Sequence, residues 1–166
     1  MLEDPRDRPG PLRQAYIRAA HVEEAAALSE LAVRSKAHWG YDAAFIDACR
    51  EDLTITGDDI GRGSVFVLDA DECPIGFYTL HGSGDEAILG DLFVEPDLIG
   101  RGHGRLLWAH ARETARRMGY TAMIVHSDPH AGGFYLAMGA ARLGGVPSTV
   151  SPGRVLPLMR VALGSS

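Results

Sequence analysis

The sequence predicts an α/β protein built on a central mixed, mostly antiparallel sheet with helices on both faces. Three observations carry that reading. Short apolar runs between Ser64 and Val94, separated by turn residues, describe three consecutive strands and hence an antiparallel meander. The last of these leads through a helical pattern into another apolar run, Ala122 to His126, and a strand–helix–strand order implies parallel pairing. Segments with three- and four-residue apolar spacing lie before and after the meander, which places helices on both faces of one sheet.

Residues 1–11 hold mixed charges and prolines at 5, 9 and 11 but no apolar core, so they read as a flexible N-terminal tail and not as a signal peptide. Residues 12–166 then form a single domain. Arg13 to Arg18 makes a first strand. His21 to Glu24 opens a helix that runs to about Ser35, with Val22, Ala25, Ala26, Leu28, Leu31 and Ala32 as its apolar face. After the Lys36–Tyr41 loop, Asp42 starts a second helix that buries Phe45, Ile46 and Cys49, and Thr54 to Arg62 is a polar connection.

Ser64–Leu68 and Pro74–Leu80 pair as a hairpin about a turn at Asp69–Glu72, and Glu86–Val94 returns after a turn at His81–Asp85. A long helix runs from Gly102 to a glycine stop at Gly119, with Leu107, Ala111, Ala115 and Met118 as its buried stripe. Beyond the Ala122–His126 strand, Asp128 can cap a short helix that has Pro129 at its first position and Gly139 at its end. Strands near Ala140–Val146 and Val155–Val161 close the sheet around a Pro/Ser/Gly loop.

A chain of 166 residues buries a substantial core without disulfide or metal staples. Hydrophobic residues at 46% and charged residues at 23% are ordinary for a soluble protein, and the longest apolar runs are far too short to span a bilayer. Without an export signal, Cys49 and Cys73 are expected to be free thiols, and the expected location is cytoplasmic. A formal charge of −6 argues against nucleic-acid binding, whereas the basic cluster from Arg101 to Arg117 suits an anionic cofactor. No metal site is expected, since Pro129 lies between His126 and His130 and no His-Glu-x-x-His occurs.

The chain is organised around residues 91–108, where the apolar strand Leu92-Phe93-Val94 passes through Pro96 into Gly100, Gly102 and Gly104 at a helix start. A helix start presents unpaired N–H groups and a positive dipole end, and small side chains there let phosphate oxygens approach the backbone. A P-loop would need Gly-Lys-Ser/Thr at its end, and a dinucleotide fingerprint would need a third glycine where Leu107 stands. Val94, Pro96, Gly102 and Gly104 resemble instead the pyrophosphate loop of the GNAT-type acyl-CoA N-acyltransferases, with Ile99 where that family usually carries Gln or Arg.

A second segment resembles the family's other signature through Asp128, Ala131, Phe134, Tyr135, Gly139 and Ala140, with Asp128 replacing Asn and Ala140 an aromatic residue. The resemblance implies that acetyl-CoA, as acyl donor, is held by Phe93, Val94, Gly100, Arg101, Gly102, His103, Gly104, Arg105, Asp128 and Phe134. It further implies that Tyr135 is the general acid near the sulfur, and that the loop between the first two helices, with His38, Trp39 and Tyr41, lines the acceptor pocket. Closing strands in such folds can pair with a second subunit, which admits a homodimer.

The reaction implied is attack of a neutral primary amine, on a small molecule or peptide, upon the acetyl thioester, with no metal and no covalent enzyme intermediate. It needs a held donor, a proton acceptor, and a proton for the leaving thiolate. Asp91 is the first candidate for the base, because burial among Ile88, Leu89, Leu92 and Phe93 would raise its pKa. His38, His81 and His126 are the alternatives. A bulge in the strand would decide which way Asp91 faces. The rival reading is a non-catalytic acyl-CoA sensor that keeps the cradle without acceptor chemistry; a nucleotide-binding regulator ranks last.

Overall fold

The computed structural model of this chain describes residues 15–164. The tail expected at residues 1–11 and the first residues of the expected initial strand lie outside the described residues. The elements in chain order are β1 (Tyr16–Ala19), α1 (Ala25–Ala37), α2 (Ala43–Leu53), α3 (Gly57–Gly61), β2 (Val65–Ala70), β3 (Cys73–Ser83), β4 (Glu86–Val94), α4 (His103–Arg117), β5 (Ala122–His126), α5 (Gly132–Ala137), β6 (Ala141–Pro147) and β7 (Val155–Ala162). Short 3-10 turns at Val22–Glu24 and Pro96–Leu98 precede α1 and α4.

The strands form one seven-stranded sheet in the order β1-β2-β3-β4-β5-β7-β6. All neighbours are antiparallel except β4 and β5, whose parallel pairing runs from Glu86 opposite Ala122 to Leu89 opposite Val125. The mixed, mostly antiparallel sheet with helices on both faces is therefore the observed architecture. On one face Leu28, Leu31 and Ala32 of α1 and Cys49 and Leu53 of α2 pack on Val65, Val67 and Phe77. On the other, Leu107, Trp108, Ala111 and Ala115 of α4 pack on Tyr78, Leu89 and Met123.

Local chemistry explains most boundaries. The Asp42 carboxylate accepts from the Phe45 N–H at 2.8 Å and starts α2. Asp71 and Glu72 both take positive φ, which makes the two-residue turn that joins β2 to β3. That turn is shorter than the expected Asp69–Glu72, because Asp69 and Ala70 stay in the ladder opposite Pro74 and Cys73. Likewise β3 continues through Ser83, so the expected His81–Asp85 turn shrinks to Gly84 and Asp85.

Two further expectations are corrected by packing. Met118 is 61% exposed, and Trp108, at 3%, takes the place expected for it in the buried stripe of α4. The expected cap at Asp128 does not start α5, whose N-cap is Ala131. Asp128 instead closes a separate turn through the His130 and Ala131 N–H groups.

Arg18 on β1 bridges Asp69 on β2 and Glu24 before α1, with its Nε on Asp69 at 2.9 Å and its two Nη groups on Glu24 at 2.8 and 2.9 Å. The Asp69 side chain is only 4% exposed, and its Oδ1 has no partner among the described residues. Removing the arginine leaves a buried carboxylate without a counter-charge, an arrangement that costs about 3 kcal/mol. Arg18→Met is therefore expected to lower Tm by roughly 6 to 12 °C in a domain of this size. A Tm within about a degree of the parent would refute the pair's structural role.

Candidate active site

The site begins with a fault in a strand. Thr79 of β3 pairs with Asp91, but Leu80 pairs with Leu89, so Gly90 is an extra residue in β4. Side chains on a regular strand alternate, which would put Leu89 and Asp91 on one face. The extra residue breaks that parity. Leu89 packs in the α4 core, whereas Asp91 turns to the α1 and α2 face, where its Oδ2 accepts from the Thr79 hydroxyl at 2.8 Å. A Cβ on Gly90 would lie 2.7 Å from that hydroxyl, so the bulge needs glycine.

Beyond the bulge, β4 and β5 part. Their pairing ends at Leu89 and Val125, and a cavity of about 660 Å³ occupies the split. The backbone of β4 supplies its donors. The Glu95 N–H bonds to the Ile75 carbonyl at 2.8 Å, so the Gly76–Val94 pair is a non-hydrogen-bonded one. The Val94 N–H therefore points away from β3, toward the space that β5 has left.

At the donor end, Gly100, Gly102, Gly104 and Arg105 line the cavity with Ile99, Phe134 and Met138. Gly102, at φ 88°, turns the chain into α4, a conformation that costs other residues about 1 kcal/mol. The first described backbone bond of the helix runs from the Leu106 N–H to the Gly102 carbonyl at 3.2 Å. Ahead of it, the N–H groups of Gly100 to Arg105 have no partner among the described residues, and they are the fitting donors for a pyrophosphate. Arg101 is exposed and off the cavity wall, and His103 is half-buried with its Nδ1 unpartnered among the described residues. Burial, then the Arg101 charge, holds the His103 imidazole below its usual pKa, which keeps it neutral.

Tyr135 lies on α5, 6% exposed, with its ring 5.4 Å from Trp108 and 5.1 Å from Phe134. Its hydroxyl has no hydrogen-bond partner among the described residues, and the residue lines the cavity. Burial, followed by the charges of Asp91 and Asp128, pushes its pKa well above the ordinary tyrosine value, so the proton is retained at working pH. Asp91 lines the same cavity. Burial raises its carboxyl above the usual range, and the Thr79 hydroxyl opposes that rise.

The far end of the cavity is built by residues remote in sequence. The Asp128 carboxylate accepts from four groups: the His130 N–H at 2.8 Å, Lys36 Nζ at 3.1 Å, the Tyr41 hydroxyl at 2.9 Å and Arg154 Nη2 at 3.2 Å. Arg154 Nη2 also donates to the Tyr41 hydroxyl at 2.6 Å. Burial works against the Asp128 charge, but the His130 N–H, Lys36 and Tyr41 outweigh it and hold the carboxyl below its usual range. Burial and the same carboxylate push Tyr41 up to about 12.

Of the ring-bearing loop, Trp39 lines the cavity and stacks on His130 at 5.5 Å, Tyr41 backs Asp128, and His38 is exposed with its edge against Trp39. Of the three histidines named as alternative bases, His126 lines the cavity while His81 and His38 do not. Lys36 and Arg154 were not singled out by sequence reasoning. In the sequence Lys36 opens one loop and Arg154 follows another, so neither sits in a motif.

Cys49 lines the cavity, but burial raises its thiol pKa, which disfavours a thiolate nucleophile. Among the described residues no group of His, Cys, Asp and Glu is arranged to hold a metal, and no helix is long and apolar enough to cross a membrane.

Comparison with known proteins agrees with this geometry. Residues 20–140 match the model of the Acetyltransferase (GNAT) family. The chain is 40% identical over 75 residues to peptidyl-lysine N-acetyltransferase YjaB of Salmonella typhimurium, a match covering 45% of this chain and 47% of that one, so it spans about half the length of that curated relative. Two solved structures share the fold. PaiA N-acetyltransferase of Thermoplasma acidophilum, in complex with coenzyme A, superposes with a TM-score of 0.71 at 19% identity, over 90% of this chain and 99% of that one. YncA of Salmonella typhimurium, described as a putative acetyltransferase with its cofactor acetyl-CoA, gives 0.68 at 19% identity, over 93% and 96%. The family model spans most of the chain, both strands of the split, the glycine turn and Tyr135, and the protein belongs to the GNAT acetyltransferase family.

Proposed function

We propose that the protein is an acetyl-CoA-dependent N-acetyltransferase that moves the acetyl group directly to a primary amine. The observation that carries this reading is the split between β4 and β5, a cleft lined at once by the glycine turn, by the polar group of Lys36, Asp128 and Arg154, and by Asp91 and Tyr135.

Acetyl-CoA supplies the acyl group as an activated thioester. The free N–H groups from Gly100 to Arg105 and the dipole of α4 fit its pyrophosphate. The Val94 N–H is placed to polarise the thioester carbonyl, as an oxyanion-hole donor does. Asp91 takes a proton from the bound ammonium so that the neutral amine can attack, and its raised pKa makes it a better base than an exposed carboxylate. Tyr135 gives its proton to the thiolate as the sulfur departs. Releasing a proton from a lysine-like amine at pH 7 costs about 4.6 kcal/mol, against about 1.4 for an α-amine. A single carboxylate base therefore suits acceptors of lower pKa.

Thermal unfolding with acetyl-CoA, CoA, ATP and NAD in parallel tests the donor. A ligand at about 100 times its Kd adds ~2.7 kcal/mol of stability, or roughly 5 to 11 °C here. The expected result is a rise with acetyl-CoA and CoA alone; no rise at saturating acetyl-CoA would overturn the proposal. Amine-dependent release of CoA thiol separates the transferase from a non-catalytic acyl-CoA sensor, which would show only the hydrolysis background.

A further inference from the structure

The acceptor limb carries more cationic donor capacity than the protein itself uses. Lys36 and Arg154 are 14% and 18% exposed at their side chains, and both converge on the single carboxylate of Asp128. Lys36 has that one described hydrogen-bond partner. Arg154 commits only Nη2, to Tyr41 and Asp128, so its Nε and Nη1 donors are unpartnered among the described residues. Both side chains line the cavity, and cationic donors left open on a cleft wall suit an acceptor group that arrives with the ligand.

The rest of the limb narrows the choice. Asp52, the other carboxylate on that wall, is exposed and accepts from Thr149 at 3.2 Å, so Lys36 and Arg154 face the single part-buried carboxylate of Asp128 with one positive charge in excess. A dianion such as a phosphate monoester would leave an uncompensated charge beside Asp128 and Asp52. A single carboxylate uses the free donors with least repulsion. Asp91, at the strand split, lines the same cavity and brings a carboxylate to it. The cavity thus offers cations at Lys36 and Arg154 and a carboxylate at Asp91, and a zwitterion carries the matching pair of charges.

Resting on the acetyltransferase reading above, we infer that the acceptor is a free amino acid or close analogue, whose carboxylate is held by Arg154 and Lys36 while its amine faces Asp91. In the reaction the new N–C bond forms as the C–S bond breaks. The ammonium first gives one proton through Asp91 to solvent; as the N–C bond forms a second nitrogen proton passes to Asp91, the Tyr135 proton passes to the thiolate sulfur, and the Asp91 proton then restores Tyr135. The products are an N-acetyl amino acid and CoA thiol, and no further reactant is needed.

The test is steady-state CoA-thiol release with acetyl-CoA and paired acceptors: each of the twenty amino acids, its carboxamide, and lysine-containing peptides without a free carboxylate near the lysine. At least one amino acid is expected to exceed its carboxamide in kcat/KM by about tenfold or more, the scale of one charge-assisted hydrogen bond. Arg154→Gln and Lys36→Met should each raise KM for that amino acid by a similar factor and shrink its advantage over the amide, with Arg154→Lys retaining part of it. Carboxamides or peptides used as well as amino acids would overturn the inference while leaving acetyl transfer intact, as would a panel in which no carboxylate-bearing member reacts. Loss of the acetyl-CoA thermal shift in the parent protein would instead overturn the transferase reading. The same shift, retained in the variants, establishes that they fold.

Discussion

Replacing Tyr135 with phenylalanine is expected to lower kcat by about 10²-fold or more, the usual contribution of a positioned general acid. The acetyl-CoA Kd should stay within about a factor of two, because the change removes an interaction made only as the sulfur leaves. The structure makes this variant a clean one. The ring packs on Trp108 and Phe134, contacts that phenylalanine keeps, and the hydroxyl has no protein partner to lose among the described residues. Tm should accordingly be unchanged. Parallel measurement of kcat, donor affinity and Tm decides the matter, and turnover equal to the parent's would remove Tyr135 from the chemistry.

Asp91→Asn is expected to lower kcat/KM by about 10²-fold at neutral pH and to abolish the acidic limb of the pH–rate profile. In the parent that limb should lie above the ordinary carboxylate range, since burial raises the Asp91 pKa. The same shift predicts a second, opposite readout. A carboxyl whose folded pKa exceeds its unfolded value binds its proton more tightly when folded. Its penalty on stability therefore develops as pH rises from the unfolded pKa to the folded one, and is complete above that. Asparagine accepts the Thr79 hydrogen bond without the buried charge, so Tm at neutral pH should rise while activity falls. A parent-like rate profile in the variant would pass the base role to His126, the one histidine among the alternatives that lines the cleft.

The two variants probe features of different visibility in the sequence. Tyr135 sits in a motif whose spacing is legible residue by residue. Asp91 was nominated from its apolar neighbours, but its direction depended on whether β4 bulges. The glycine at position 90 gives no local sign of that, because many strand glycines stay in register. Only the pairing of Thr79 with Asp91 and Leu80 with Leu89 shows the extra residue. The resulting change of face brings Asp91 against Thr79 on the α1 and α2 side of the sheet.

Errors in the element reading have a similar origin. Met118 fits the helical stripe by spacing, yet it caps α4 beyond its last turn and is exposed, whereas Trp108 is buried. Asp128 followed by proline has the local chemistry of a helix cap. Tertiary ligands outcompete that role, because Lys36, Tyr41 and Arg154 offer the carboxylate charged and hydroxyl partners that a short helix start lacks.

Local order was fixed by sequence alone: β4 and β5 run from Glu86 to Val94 and from Ala122 to His126 in both reading and structure, and the glycine turn into α4 falls between them. These features follow from apolar periodicity, proline and glycine, whose effects extend over only a few residues. The tertiary structure alone decided the bulge that turns Asp91, the split that opens the cleft, and the charged limb where Lys36, Asp128 and Arg154 meet. That limb joins Tyr41 to Arg154 across 113 positions. No local pattern encodes such a meeting; it exists only once sheet order and helix packing bring the distant segments to one wall.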